Sequence, residues 1–267
     1  MNRISQNIKK IIGLVVFLTS IYLFFYFKYN DTAFILVYHQ IGDYKGGLKS
    51  LYVKKDTFNR QMNFLYNRGY KSITLSELRY RIENNLPLKK VFCITFDDGY
   101  KSLEDAYYIL KKYNFKATAY LHIKAILNGV YSYPNMPPAD MISLEKVKKM
   151  LDVFELGSHT INHPDLTKIS YEEVLYEIKE SKKFLEEMLN VKVNHFCYPF
   201  GKYFKNHKEI LSKEGYLTAT TLNAALIEKK NVDFFFLPRV EWKEWSYMSF
   251  DDFFKNFEFY IKIFLGL

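Results

Sequence analysis

VFCITFDDGY (residues 91–100) is a nearly unbroken apolar run that ends in two acids and a glycine. Such a run suits a strand buried on both faces of a parallel sheet, and sheets of that kind keep their chemistry at the carboxyl ends of the strands. Asp97 and Asp98 stand at that end. Side chains alternate along a strand, so both acids reach one cavity only if the chain turns there, and Gly99 makes the turn easy. An Asp-Asp-Gly turn is also common without any catalysis, so the rest of the chain has to decide.

Outward from this stretch, strands and helices alternate. Upstream, ILVYHQIGDY (35–44) opens as a strand, and Phe58, Met62 and Leu65 fall at helical spacing in a helix closed by Gly69. KSIT (71–74) predicts a short strand, with a second helix capped at Ser76. Downstream, EDAYYILKKYNF (104–115) is amphipathic and KATAYLHI (116–123) is strand-like. A loop rich in Pro, Tyr and Asn (128–140) precedes a helix opened by Ser143. FELGSHT (154–160), VNHFCYPFG (193–201), TATTL (218–222) and FFFLPRVEW (234–242) supply further strands, separated by helices over 171–190 and 207–216. This order predicts an α/β fold with parallel strands, barrel-like or layered.

Composition narrows the classes. The 267 residues are 49% hydrophobic, enough for one well-cored domain, and the 24 Phe and 23 Tyr are explained mostly by packing. Net charge is +9, yet no Lys/Arg block interleaved with aromatics stands out, so nucleic acid is not an expected partner. The two cysteines, Cys93 and Cys197, lie in apolar runs and form neither a disulfide framework nor a CxxC metal pattern. The N-terminus is basic (Arg3, Lys9, Lys10) and leads into IIGLVVFLTSIYLFFYF (11–27), an uncharged run of 17 residues without a small-residue cleavage site after it. Basic residues before the run favour the N-terminus inside and the domain outside. The expected organisation is a basic stub and signal-anchor transmembrane helix over 1–30 and an extracellular, monomeric domain over 31–267; secretion after signal cleavage is the alternative.

Two more loops carry candidate chemistry. SHTINHP (158–164) places His159 and His163 at i and i+4, a spacing that on a helical turn lets both imidazoles grip one ion, although surface and capping roles share the pattern. Two His and one carboxylate leave open positions for water and substrate. FCYPFG (196–201) has no obvious ionisable group; backbone N–H groups and an aromatic wall are what it can offer to an oxyanion and a sugar ring.

Together these loops resemble the polysaccharide deacetylases with the NodB-type domain, carbohydrate esterase family 4. TFDDGY (95–100) is similar to the family's first motif, His159-Thr160-Ile161-Asn162-His163-Pro164 to its second and YPFG (198–201) to its third, in order, over about 33–245. The resemblance implies a distorted (β/α) barrel, and a divalent ion, Zn²⁺ or alternatively Co²⁺, Ni²⁺ or Fe²⁺, held by Asp98, His159 and His163. It implies Asp97 as general base for water attacking an acetamide carbonyl, with the Tyr198 backbone N–H among the oxyanion donors. Two features depart from the pattern. Cys197 stands where many members have an arginine that orients the base, and the C-terminus NFEFYIKIFLGL lacks the general-acid histidine many members carry there.

One branch resolves both departures. The deacetylases of poly-β-1,6-N-acetyl-D-glucosamine are circularly permuted, with the acid histidine on an N-terminal strand in a Tyr-His-x-Ile context, to which Tyr38-His39-Gln40-Ile41 is similar. Their Leu-Pro-Arg strand resembles Leu237-Pro238-Arg239. The implied roles are His39 as general acid and Arg239 as partner of Asp97, with a salt bridge elsewhere as the other role for Arg239. The implied activity is removal of N-acetyl groups from N-acetylglucosamine units of an extracellular β-1,6-linked polymer. Peptidoglycan and chitooligosaccharide are the alternative substrates, and a catalytically inactive glycan-binding or export-accessory module is the alternative class.

Overall fold

The computed structural model describes residues 2–134, 136–230, 232–244 and 255–267. Its centre is a curled sheet of β1 (Thr32–Tyr38), β2 (Lys71–Ser72), β3 (Val91–Phe96), β4 (Ala117–Leu121), β5 (Phe154–Ser158), β6 (His195–Cys197), β7 (Thr218–Thr220), β8 (Ile227–Glu228) and β9 (Val240–Glu241). Across the sheet the order is β7-β6-β5-β4-β3-β1, with β2 on β3 and both β8 and β9 on β1. Every pair in it is parallel except β8, which runs antiparallel to Thr32–Ala33. The apolar run before Asp97 is accordingly buried over all six residues of β3, flanked by β1 and β4.

The barrel is shut by a crossing segment rather than by a long strand. Leu237 donates its N–H to Ala219 O (2.9 Å) and accepts from Thr221 N–H (2.9 Å), beyond the free edge of β7. Three and four residues on, Val240 and Glu241 pair with Leu36 and Val37 of β1. Residues 234–241 therefore bridge the two edges of the sheet, and Pro238 lies in that seam, where a missing ladder donor does least harm. The expectation of one strand over 234–242 is corrected in extent: β9 is two residues long, because the segment changes partners midway.

Helical spacing resolves as expected at Lys55–Asn67, which buries Phe58, Met62 and Leu65, and at Tyr171–Leu189, whose Ser170 and Glu173 form a capping box. The cap of Leu75–Glu83 is Thr74, whose hydroxyl accepts from Glu77 N–H, not Ser76. Ser76 instead meets His195 Nε2 at 3.0 Å.

The N-terminal helix Asn2–Tyr29 runs almost directly into β1. Over Gln6–Tyr29 it is long and apolar enough to cross a membrane. Its last turn is built into the domain: Tyr29 is buried, and the buried Lys262 ammonium donates to Tyr29 O at 2.8 Å. Lys28 Nζ and Tyr29 Oη both donate to Glu258 Oε1, at 2.9 and 3.0 Å. Lys262 and Glu258 belong to the C-terminal helix Phe257–Leu265, which drives Phe259 and Ile263 into the core.

Candidate active site

At the end of β3 the ladder continues for one residue, with Asp97 N–H donating to Tyr38 O at 2.9 Å. The chain then turns at Asp98 itself, which is left-handed at φ 71°, followed by Gly99 at φ 83°. This settles how neighbouring acids share a cavity: the turn falls between them, and a non-glycine residue takes the strained conformation.

The loop after β5 shows the same economy. His159 and His163 are not on a helical turn, as the i, i+4 spacing suggested. Thr160 and His163 are both left-handed, at φ 68° and 58°, and the loop winds back on itself. Side chains hold it there. Thr160 Oγ1 accepts from His163 N–H (2.9 Å), and the buried Glu177 accepts from Ile161 N–H (2.7 Å), Asn162 N–H (2.9 Å) and Asn162 Nδ2 (2.6 Å). No sequence pattern distinguishes Glu177 from the other acids of the helix Tyr171–Leu189.

These turns gather three ligand atoms. His159 Nε2 and His163 Nε2 are 3.0 Å apart, and each is 3.5 Å from Asp98 Oδ1. Donors about 2.0–2.2 Å from a common ion stand about 3–3.5 Å apart, so the three side chains fit one divalent cation. His159 Nδ1–H donates to Cys197 O at 2.9 Å, which fixes the tautomer that turns the Nε2 lone pair toward the cluster. Burial and then the charge of His159 hold His163 well below the usual imidazole range, so it too keeps a free lone pair.

Asp97 faces the cluster from the other side. Arg239, reaching in from the barrel seam, donates to Asp97 Oδ1 at 2.7 Å and to Oδ2 at 2.8 Å, and is steadied by Thr221 O (2.8 Å) and Thr95 Oγ1 (3.1 Å). Burial pushes the Asp97 carboxyl up, but the Arg239 charge and its paired hydrogen bonds outweigh burial and hold it well below the ordinary carboxylate range. His39 Nε2 stands 3.8 Å from Asp97 Oδ2 with its side chain 15% exposed, which leaves one edge open to the cleft.

Of the six histidines, His39 alone lines the cleft without belonging to the ligand set. His195 is bound to Glu155 Oε2 and Thr218 Oγ1 at the start of β6 and does not line the cleft. His122 packs behind His163; burial and the neighbouring His159 push it down to about 3, so it is neutral. Tyr198, expected to offer its backbone N–H to an oxyanion, lines the same cleft, and that amide donates to Thr220 O at a long 3.3 Å.

The cleft over these residues has a volume of about 720 Å³. Apolar side chains such as Leu48, Met136, Phe200 and Leu222 form its walls, and Glu241 lies at its edge. Phe200, itself left-handed at φ 59°, sets its ring 4.6 Å from that of His163, the aromatic wall expected of the third loop. From the 128–140 loop, Tyr133 reaches the ligand cluster, a contact no sequence pattern announced: its hydroxyl donates to Asp98 Oδ1 at 3.0 Å and lies 3.2 Å from His163 Nε2.

Residues 84–219, just over half the chain, match the family model described as polysaccharide deacetylase. The chain is 31% identical over 190 residues to YxkH of Bacillus subtilis (strain 168), named for the same family; the match takes in 70% of this chain and 63% of the relative, so the chain spans less than two thirds of that protein. It is 27% identical over 205 residues to the poly-beta-1,6-N-acetyl-D-glucosamine N-deacetylase of Staphylococcus aureus (strain MSSA476), covering 72% of this chain and 68% of that one. Among solved structures, the Streptococcus pyogenes deacetylase PplD in complex with acetate shares the fold with a TM-score of 0.72 at 29% identity, over 84% of this chain and 97% of the other. A paired Asp-Asp turn and a wound His-x-x-x-His loop at the mouth of a curled parallel sheet are thus found here within a matching family sequence, and the chain belongs to the polysaccharide deacetylase family.

Proposed function

We propose that the protein is a metal-dependent N-deacetylase acting on N-acetylglucosamine units of an extracellular β-1,6-linked polysaccharide. The observation that carries the activity is the pairing of a cation-ready Asp98–His159–His163 cluster with a second carboxylate, Asp97, kept ionised by Arg239. Asp98, His159 and His163 would hold a divalent ion, which would supply a Lewis acid for the acetamide carbonyl and the attacking water. Asp97 accepts the proton of the attacking water. His39 donates a proton to the departing nitrogen as the C–N bond breaks, without which the amine is a very poor leaving group. Thr95 and Thr221 keep Arg239, and through it Asp97, in register.

The β-1,6-linked substrate is supported by the name of the S. aureus relative and by the position of His39 at the end of the first strand. The N-terminal helix serves as a retained membrane anchor, supported by the packing of its last turn onto the C-terminal helix. Acetate release from poly-β-1,6-N-acetylglucosamine, chitooligosaccharide and peptidoglycan by the metal-loaded full-length protein tests both claims. Release from none of them overturns the enzyme, and release from either of the latter two alone overturns the substrate.

A further inference from the structure

Tyr133 follows the first strand of a small antiparallel ribbon, Val130–Tyr131 against Ala139–Asp140, entered through Gly129 at φ 72°. Besides its two registered pairs, Met141 N–H donates to Gly129 O and Lys101 N–H to Asp140 O, both at 2.9 Å, which fixes its base to the domain. This ribbon delivers a side chain into the most buried part of the site. The Tyr133 ring lies 5.4 Å from His163 and 6.2 Å from Phe200, and rests against Tyr131 at 4.9 Å, which in turn meets His122 at 4.6 Å.

The hydroxyl is the informative atom. Its separations from Asp98 Oδ1 and His163 Nε2, 3.0 and 3.2 Å, fall in the same 3.0–3.5 Å range that separates the ligand atoms from one another. It therefore stands as a further vertex of the same cluster. A tyrosine placed only for packing would satisfy its hydroxyl at any convenient acceptor. This one is satisfied by two atoms that an ion must also use.

We propose that Tyr133 occupies the coordination position that the acetamide oxygen of the substrate has to take, so that its side chain must withdraw before the sugar binds. Resting on the metal-dependent reading of the site, this makes Tyr133 a residue that sets how readily small oxygen ligands reach the cluster.

Tyr133→Phe keeps the ring and removes the hydroxyl. The full-length protein and the variant, each loaded with Co²⁺ to a stoichiometry checked by chelator competition, are titrated with acetate and followed by the visible d–d absorption of the ion. The variant is expected to bind acetate about tenfold more tightly, the worth of one hydrogen bond to a charged group. Unchanged affinity would mean that the hydroxyl only packs, and weaker affinity that it donates to the bound oxygen; either overturns the proposal, as does failure of the wild-type protein to take up Co²⁺. The titration needs no turnover, so it remains readable even if no polysaccharide is deacetylated.

Discussion

Replacing Arg239 by methionine removes the guanidinium while keeping a long side chain in the seam. Arg239 and Asp97 are 1% and 3% exposed, so the variant strands a carboxylate in the interior. Breaking a buried ion pair from one side costs about 3–5 kcal/mol, mostly because the remaining charge has no partner. At about 2–4 °C per kcal/mol for a domain of this size, the melting temperature falls by roughly 6–20 °C. Asp97→Asn strands the guanidinium in the same way, so it too is destabilising and is a poor test of base catalysis alone. The double variant separates pair from parts: its loss is expected to fall short of the sum of the single losses by more than about 0.5 kcal/mol, the limit for independent sites. The pH dependence has a definite sign. In the wild type the Asp97 carboxyl is depressed, so its contribution is present above the unfolded carboxylate pKa of about 3.9 and is lost as pH falls through the lower folded value. In Arg239→Met burial alone raises the same carboxyl, whose penalty at neutral pH disappears once it takes a proton. The stability gap between the two proteins is therefore widest near pH 7 and narrows toward pH 4. Additive losses in the cycle, or a gap independent of pH, would refute the account of Arg239 as the group that keeps Asp97 charged.

His39→Ala is expected to retain bound metal and thermal stability and to lose about 10²–10⁴-fold in kcat, measured as acetate release; near-normal turnover would remove His39 from the role of acid. His163→Ala deletes a ligand and is expected to abolish stoichiometric metal, quantified by elemental analysis. Glu177→Ala is expected to keep all three ligands but to weaken metal affinity by about 10–100-fold in a chelator competition, because the 160–163 turn loses its brace.

What the sequence disclosed and what it withheld divide along a physical line. The β3 run, the Asp97–Asp98 pair and the His159/His163 spacing were legible because residue type and local order alone express them. The approach of Arg239 to Asp97 followed from a resemblance, across 142 residues of chain. The left-handed turns at Asp98, Thr160 and His163 were not legible, since the favoured residue for such a turn is glycine and none stands there. The helical turn expected for His159–His163 failed for this reason: Glu177 and the Thr160 hydroxyl stabilise a conformation that i, i+4 spacing cannot distinguish from a helix. The contact of Tyr133 with the cluster could not be read from its loop, which has no periodicity; that proximity is a product of tertiary fold alone.

The exchange of an arginine for a cysteine on β6 acquires a physical sense from the seam. Cys197 Sγ lies 3.2 Å from Arg239 Nη2 and 3.5 Å from Asp97 Oδ2, so the small side chain on β6 leaves the volume into which a guanidinium from another element fits. Burial drives the thiol well above its usual range, against the pull of Arg239, so Cys197 stays protonated and adds no competing charge. A guanidinium rooted in β6 would belong to the body of the sheet. One rooted at 239 belongs to the segment that joins β7 to β1, and its contact with Asp97 exists only while those edges are joined. The charge state of the proposed base is in this way tied to closure of the barrel, because the guanidinium that chiefly opposes the burial of Asp97 is carried by the closing segment. The segment that completes the fold also holds the site in its reactive ionisation, and substitutions that loosen the 234–241 seam should act on the pH dependence of turnover before they act on metal content.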